Sequence, residues 1–452
     1  MSDAGTPHTY QSAFLRELHW RGLIAQVTDP AGLDAHLLEA EHAGNPADRR
    51  AYIGFDPTAD SLTIGNLVPI MLLGFFQRAG HTPIVLAGGG TGLIGDPSGK
   101  SAERELRTRE QVASNVESQK RIFGRVLSFD SGANAATIVN NLDWLGELSY
   151  LDALRDIGKH FSVNMMIQKD SVRERLNSRE QGISYTEFSY MILQAYDFAH
   201  LHRHLGVTLQ MGATDQWGNI VAGADLIRRF ASQPPHNPQQ SASFGLTTPL
   251  LTKSDGTKYG KTASGAVWLT AGEGRTSPYA FYQFLLNIPD EDVERFLKTF
   301  TFHPREKIEA ILVQHKTDPG ARVAQRELAR TVTDMLHGEP ERLRAEKAAA
   351  ALFSGDVADL PHDLLTEAFA AAPSSDEPRA RLDGEGEDLL ELLARTLCKS
   401  KSEARQALAD QSISINGVKA RPGERLTPRH LLHGSVILLR RGKRNWFVTR
   451  WS

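Results

Sequence analysis

Two lysines in the run Lys258-Tyr-Gly-Lys-Thr262 place two movable ammonium groups on one turn. Lysine is a compact charge on a flexible stem, which suits it to neutralising phosphate oxygens. Gly260 keeps such a turn mobile, and Thr262 adds a hydroxyl donor. Taken alone the run also reads as a solvent-facing hairpin, because Asp255-Gly-Thr-Lys258 is ordinary turn chemistry. A second run upstream, Phe55-Asp-Pro-Thr-Ala-Asp-Ser-Leu-Thr-Ile-Gly-Asn66, passes from a strand end into a helix start rich in small residues. Together the two describe a site that activates an acid with a nucleoside triphosphate. An attacking carboxylate is already ionised at neutral pH, so no protein nucleophile or base is needed. Catalysis then rests on positioning and on charge stabilisation at the phosphates. A third run, Gly95-Asp-Pro-Ser-Gly-Lys-Ser101, imitates a phosphate-binding P-loop but has three residues where that loop needs four. Pro97 also removes a backbone N–H that such a loop would use.

These residues need elements to hold them. Residues 1–50 read as helical, and Ala51–Asp56 as a strand ending at Pro57. Leu67–Ala79 reads as a helix and Thr82–Gly88 as a second strand, which makes a βαβ unit with a parallel sheet. Ligands of such sheets sit at the carboxyl ends of strands, where Asp56 and Gly88-Gly-Gly-Thr-Gly92 fall. Residues 151–205 are expected to be mostly helical, Val207–Gly212 a buried strand, and Asp225–Phe230 helix. Residues 232–243 read as an exposed loop, and Leu250–Gly256 as a strand ending in a tight turn. Tyr190, Gln194 and Asp197 are spaced i, i+4, i+7 and share one helix face; a polar stripe of that composition is unusual as core. Residues 288–353 carry helical periodicity with charged faces. Residues 370–387 read as a linker. Beyond Leu389 come two helical segments and two strands, with Asn416-Gly417 as a hairpin turn.

Composition is that of a globular protein: 452 residues, 40% hydrophobic and 23% charged. Met1-Ser-Asp-Ala-Gly-Thr-Pro7 lacks the basic and apolar runs of a secretory signal. No apolar run approaches membrane-spanning length, and the single cysteine, Cys398, fits a reducing, cytoplasmic setting. The net charge of −3 hides an asymmetry. Residues 355–391 hold eleven acidic residues and two arginines, whereas residues 395–452 hold thirteen basic and three acidic ones. A basic tail on a near-neutral chain points to a polyanionic partner.

The chain resembles the bacterial-type tyrosyl-tRNA synthetases, class I aminoacyl-tRNA synthetases, over nearly its whole length. The resemblance is carried by Tyr52-Ile-Gly-Phe-Asp-Pro-Thr-Ala-Asp-Ser-Leu62, Gly88-Gly-Gly-Thr-Gly-Leu-Ile-Gly-Asp-Pro97, Ser189-Tyr-Met-Ile-Leu-Gln-Ala-Tyr-Asp197, Gln210-Met-Gly-Ala-Thr-Asp-Gln-Trp-Gly-Asn219 and the 258–262 run, in the family's order. It implies an α/β Rossmann-like parallel-sheet catalytic domain over 1–245 with a dimer-interface insertion. A mobile lysine loop and connection follow over 246–287, then a helical anticodon-binding domain over 288–370. A linker over 371–388 leads to a small α+β S4-like RNA-binding domain over 389–452. The implied activity is tyrosine--tRNA ligase: L-tyrosine attacks ATP to give tyrosyl-adenylate and pyrophosphate, and tyrosine then passes to the 3′ end of tRNA(Tyr).

The resemblance also implies roles. Lys258, Lys261 and Thr262 serve the β- and γ-phosphates, helped by Thr58, Thr63 and Asn66. Tyr52 and Asp197 bind the phenol of the substrate. Tyr190, Gln194, Asp96 and Gln216 take the α-amino end, and Gln210 and Thr91 complete the tyrosine site. Asp56, Gly65, Asn66, Gly212, Asp215 and Lys261 line the nucleotide, with Asp215 on the ribose. Magnesium is expected to arrive on the phosphates, and no protein metal site is expected. Thr63 and Asn66 are a departure, since most of the family has histidine at the first position and many have it at the second. Thr63 could donate directly or through water, or Lys100 or Arg104 could supply charge, or activation could be weaker. In the tail, Lys401, Arg405, Arg440 and Arg441 match the RNA-contacting pattern, and Trp446 and Phe447 read either as stacking on a base or, the favoured reading, as closing the small core. A homodimer is implied, with residues 156–190 at its interface; neither a membrane nor DNA is an expected partner. Two other readings remain: tryptophanyl-tRNA synthetase, against which Tyr52, Asp197 and the tail argue, and a synthetase-derived non-catalytic RNA-binding protein, motivated by Thr63.

Overall fold

A computed structural model describes residues 8–96, 107–130, 132–169, 172–173, 176, 183–232, 242–252, 259, 261–262, 265–370, 372–442 and 445–452. The chain forms two compact units, Met1–Thr270 with Ile288–Leu328, and Ala271–Asn287 with Ala329–Ser452.

The first unit is built on a six-stranded sheet of β1 (Gln26–Val27), β2 (Arg50–Phe55), β3 (Thr82–Ala87), β4 (Thr137–Asn140), β5 (Val207–Ala213) and β6 (Phe244–Thr248). Their order is β1-β6-β5-β2-β3-β4. All neighbours run parallel except the short edge strand β1. Every residue of β3 is buried, as expected for a strand covered on both faces. The helix Ile64–Arg78 returns the chain from β2 to β3 and buries ten residues, including Leu67, Met71 and Phe76. It starts three residues before the apolar run because Thr63 and Asn66 close a cap at its N-terminus. The strand order reverses at β2, with β3 on one side and β5 on the other. That switch point is where sheets of this class bind ligands.

The Ile288–Leu328 stretch belongs to this first unit. Arg21, the last residue of helix Ala13–Arg21, is nearly inaccessible. Its guanidinium donates to the carbonyls of Lys298 (2.7 Å), Thr301 (2.9 Å) and His303 (2.7 Å). These carbonyls lie at and just beyond the C-terminal end of helix Asp290–Phe300, whose last carbonyls lack helical partners.

The second unit packs helices Pro278–Leu286, Glu339–Ser354 and His362–Ala368 together. It also contains a five-stranded sheet in the order Val418–Lys419, Ile413–Ile415, Val436–Arg441, Asn445–Trp451, Ser374–Glu377. The last of these corrects the linker reading: Ser374–Glu377 is an edge strand running parallel to Asn445–Trp451. Its Ser-Ser-Asp-Glu sequence has no apolar alternation to announce a strand, and only Glu377 is buried. The Asn416-Gly417 turn forms as expected, with φ of 49° and 92° and strands paired Ser414↔Lys419 and Ile415↔Val418. Positive φ at both central residues is what an Asn-Gly hairpin supplies. Helices Leu389–Arg395 and Lys401–Ala409 close over this sheet through Leu392, Leu393, Ala404 and Leu408.

Candidate active site

Asp197 lies on helix Tyr185–Leu205, 1% exposed. Its carboxylate accepts from Asn141 Nδ2 (2.9 Å) and Trp144 Nε1 (2.8 Å). Burial pushes its pKa up to about 7, against those two donors. Tyr52 on β2 is equally buried, and its hydroxyl finds no hydrogen-bond partner among the described residues. Burial and the Asp197 charge hold the Tyr52 phenol well above its ordinary range, so it stays a neutral donor. Gln210, directly beside Tyr52 on β5, is also buried with its Oε1 unpartnered among the described residues. Buried polar groups without partners are costly, so this cluster is built to receive a polar ligand.

A second group forms around Tyr190, one face of the same helix. Tyr190 OH donates to Asp56 Oδ2 (2.9 Å), and Thr91 Oγ1 donates to Asp56 Oδ1 (2.8 Å). Asp56, expected on the nucleotide side, is thus bonded to two residues assigned to tyrosine. Gln194 Nε2 donates to Gln216 Oε1 (3.2 Å), and Gln216 Nε2 donates to Asp96 Oδ2 (2.8 Å). Burial, then the charges of Asp56, Asp96 and Asp197, raise the Tyr190 phenol well above its usual range. Three carboxylates around one neutral hydroxyl make a place for a cation such as a substrate ammonium. The expected stripe on the helix is therefore assembled: Tyr190, Gln194 and Asp197 all face the site.

Asn141 and Trp144 were not found from sequence. Asn141 is fully buried. Besides Asp197, it donates to Thr91 Oγ1 (3.0 Å) and accepts from the Gly90 N–H (2.7 Å). A continuous chain, Asp197–Asn141–Thr91–Asp56–Tyr190, joins the two groups. The only sequence signal was Asn140-Asn-Leu-Asp-Trp144, a polar pair after a strand.

At the helix start, the Thr63 N–H and Thr63 Oγ1 both donate to Asn66 Oδ1 at 3.0 Å. An N–H can meet only the oxygen of an amide, so this contact fixes how the Asn66 amide is turned. Asn66 Nδ2 is then the group left to donate outward, while the Thr63 hydroxyl proton is already engaged. A Cβ at Gly65 would meet nothing closer than Thr63 Oγ1 at 3.8 Å, so the face beside it is open. Pro69 cannot donate to the Gly65 carbonyl one turn back, which leaves that acceptor outside the helix ladder. Thr58 follows β2 and is half-buried. Gly212 ends up against Gln216, where a Cβ would come within 3.2 Å of the Gln216 side chain. Asp215 is exposed in the turn Thr214–Gln216.

Of the lysine run, Lys258 and Gly260 lie outside the described residues, as do Lys100 and Arg104. Lys261–Thr262 form a two-residue strand against Gly265–Ala266, described for the backbone alone. Tyr259 is described and is 9% exposed. Its hydroxyl donates to Asp292, which also accepts from Arg295 (2.8 Å), and its ring meets Phe296 edge-on at 4.8 Å. The middle of the run is thereby held to helix Asp290–Phe300. No group of carboxylates, histidines and cysteine that could hold a metal ion occurs among the described residues.

The tail residues divide. Arg405 is exposed and makes no ion pair among the described residues. Lys401 pairs with Glu391, and Arg441 with Glu403 at 2.6 Å. Arg440 is a correction: it is 8% exposed, with its guanidinium 4.8 Å from the Trp446 ring centre. A Cβ at Gly355 would come within 2.5 Å of Arg440 Nη2, so the guanidinium sits against that glycine rather than at an RNA-facing surface. Strand alternation explains this, since Arg440 and its neighbour Arg441 point to opposite faces. Trp446 lies between Arg440 and Phe369, and Phe447 packs on the small core.

Residues 45–354 match the family model described as tRNA synthetases class I (W and Y), and residues 369–449 match a tyrosine--tRNA ligase SYY-like C-terminal domain. The chain is 50% identical to a tyrosine--tRNA ligase of Roseiflexus castenholzii over 97% of its own length and 99% of that protein. It is 48% identical to that of Opitutus terrae, over 96% and 99%. Among solved structures, a C-terminally truncated mitochondrial tyrosyl-tRNA synthetase of Aspergillus nidulans aligns with a TM-score of 0.65 and 30% identity. That match covers 76% of this chain and 95% of that one.

Proposed function

The chain belongs to the class I tRNA synthetases for tryptophan and tyrosine and is a tyrosine--tRNA ligase, and from that premise we propose how its residues divide the work. Tyr52 OH and Asp197 bind the substrate phenol, the carboxylate accepting and the tyrosine donating. Tyr190, Asp96, Gln194 and Gln216 hold the α-ammonium, with Asp56 and Thr91 fixing Tyr190. That leaves the tyrosine carboxylate to attack the α-phosphate of ATP. Asn66 donates to the nucleotide from the helix start, and Gly65 lets it approach. Lys258 and Lys261 neutralise the leaving pyrophosphate, and magnesium enters on the phosphates. Asp215 takes the ribose.

The observation that carries this reading is the buried Tyr52 hydroxyl, without a partner among the described residues, close to a buried carboxylate on the neighbouring helix. A phenol donates to the carboxylate and accepts from Tyr52, whereas phenylalanine would leave the buried Tyr52 hydroxyl without a partner. An indole could donate but could not accept from Tyr52, which disfavours tryptophan. The test is single-turnover adenylate formation followed by transfer to tRNA(Tyr). Product with tyrosine alone supports the assignment; no adenylate with any amino acid would favour the non-catalytic RNA-binding reading.

The working form is a homodimer in the cytoplasm. Exposed apolar side chains gather between 150 and 185, among them Leu151 (76%), Met165 (65%) and Tyr185 (60%). Beside them lies a cavity of about 290 Å³ lined by Phe161, Met165, Met166, Lys169, Met191 and Trp217. Apolar patches of this kind mark association surfaces. Met165→Asp is expected to give a monomer by analytical ultracentrifugation. No described helix is long and apolar enough to cross a membrane. The tRNA is met by the helical stretch and by the tail, with Arg405 facing its phosphates.

A further inference from the structure

The contact that orients Asp197 from behind is itself held by something outside the site. Trp144 Nε1 donates to Asp197 Oδ1 at 2.8 Å. The indole has no second polar group, so this bond leaves the ring free to pivot about it. The indole packs in part on the apolar core beneath it, and His200 stacks on its ring with centroids 4.4 Å apart and planes within 12°. His204 stacks on the far side of His200 at 4.1 Å and 29°, with its Nδ1 2.9 Å from the His200 carbonyl oxygen. Tyr196 meets His200 edge-on at 6.1 Å. Asp197, His200 and His204 lie on one face of helix Tyr185–Leu205 at i, i+3, i+7. The same helix therefore supplies both the acceptor for the indole N–H and the flat surface under its ring.

We propose that His200 is a positioning residue for tyrosine selection: it clamps Trp144, and through Trp144 it keeps the Asp197 carboxylate turned toward the substrate phenol. The inference rests on Asp197 serving the phenol. His204 backs the clamp by holding His200 flat. Burial and the nearby His204 push the His200 imidazole down to about 4, so the ring that stacks is neutral at working pH. Its part is then shape rather than charge, and another flat ring can replace it.

The test compares His200→Ala, His200→Leu and His200→Phe in the full chain, by pyrophosphate exchange with KM measured separately for tyrosine and ATP. A stacked aromatic pair contributes enough for about a tenfold change, so His200→Ala and His200→Leu should raise KM for tyrosine roughly that much while kcat and KM for ATP stay within about twofold. His200→Phe should return KM for tyrosine to near the wild-type value. In a Trp144→Phe background, His200→Ala should add nothing further, because residues acting through one contact are not additive. An unchanged KM for tyrosine, an equal rise in both KM values, a Phe variant as impaired as the Leu variant, or additivity with Trp144→Phe would overturn the proposal. The preference for tyrosine over phenylalanine in Asp197→Asn, measured alongside, separates failure of this clamp from failure of the phenol assignment: a preference unchanged there would sink the assignment itself.

Discussion

Asp197 is buried between two donors, and burial lifts its pKa to about 7. Its folded value lies above the ordinary 3.8. Its contribution to stability is therefore full below the unfolded value and is lost as pH rises through about 7. Under the proposed assignment of Asp197 to the substrate phenol, binding runs the other way, because a phenol donates to the ionised form. Below pH 7, kcat/KM for tyrosine should fall by about tenfold per unit, while kcat at saturating tyrosine changes little; a flat pH profile from 6 to 8 would contradict this. At the helix start the structure shifts weight from Thr63 to Asn66. Loss of a transition-state donor costs about a hundredfold or more in rate, so Asn66→Ala should slow adenylate formation by that order. Thr63→Ala should slow it less, since the Thr63 N–H still holds the amide, and should leave tyrosine KM unchanged; single-turnover quench experiments would distinguish the two. The sequence suggested Thr63 as a donor, directly or through water. It could not show that its hydroxyl is occupied by Asn66, because both residues read equally well as separate ligands.

The helix Tyr185–Leu205 and the β3–Gly92 turn place the polar groups, and both were legible. The i, i+4, i+7 spacing of Tyr190, Gln194 and Asp197 survives as one face, and the glycine run falls at a strand's carboxyl end. Asn141 and Trp144 were not legible, because they approach from beyond β4, a strand of four residues, Thr137–Asn140, too short to stand out. The turn leaves little room: a Cβ at Gly88 would lie 2.3 Å from Asp56 Oδ1 and 2.7 Å from Thr91 Oγ1. Gly88→Ala should break that hydrogen bond and cost about 1–3 kcal/mol in urea unfolding, together with a raised KM for tyrosine. An alanine variant with wild-type KM would mean the Asp56–Thr91 contact is incidental. The anchoring of Tyr259 by Asp292 and Arg295 was equally hidden, since sequence gives no reason to pair a turn tyrosine with a helix more than thirty residues away.

At the scale of the whole molecule, the first unit carries every described site residue and the second carries the basic tail. The charge asymmetry pointed to a polyanionic partner for the tail, but the tail's cations are not equivalent. Arg405→Glu should raise KM for tRNA several-fold and make its salt dependence shallower without touching pyrophosphate exchange. Arg440→Ala should instead lower the stability of the second unit, because its buried guanidinium packs on Trp446. The central claim is that a phenol-reading pocket selects the amino acid that attacks ATP. Its most direct test is pyrophosphate exchange into ATP with tyrosine, phenylalanine and tryptophan, on the wild-type chain and on Tyr52→Phe. The account predicts exchange with tyrosine alone in the wild type, and in Tyr52→Phe a narrowed preference for tyrosine over phenylalanine with ATP KM unchanged. Equal exchange with tyrosine and phenylalanine in the wild type, or a preference untouched by the substitution, would contradict it.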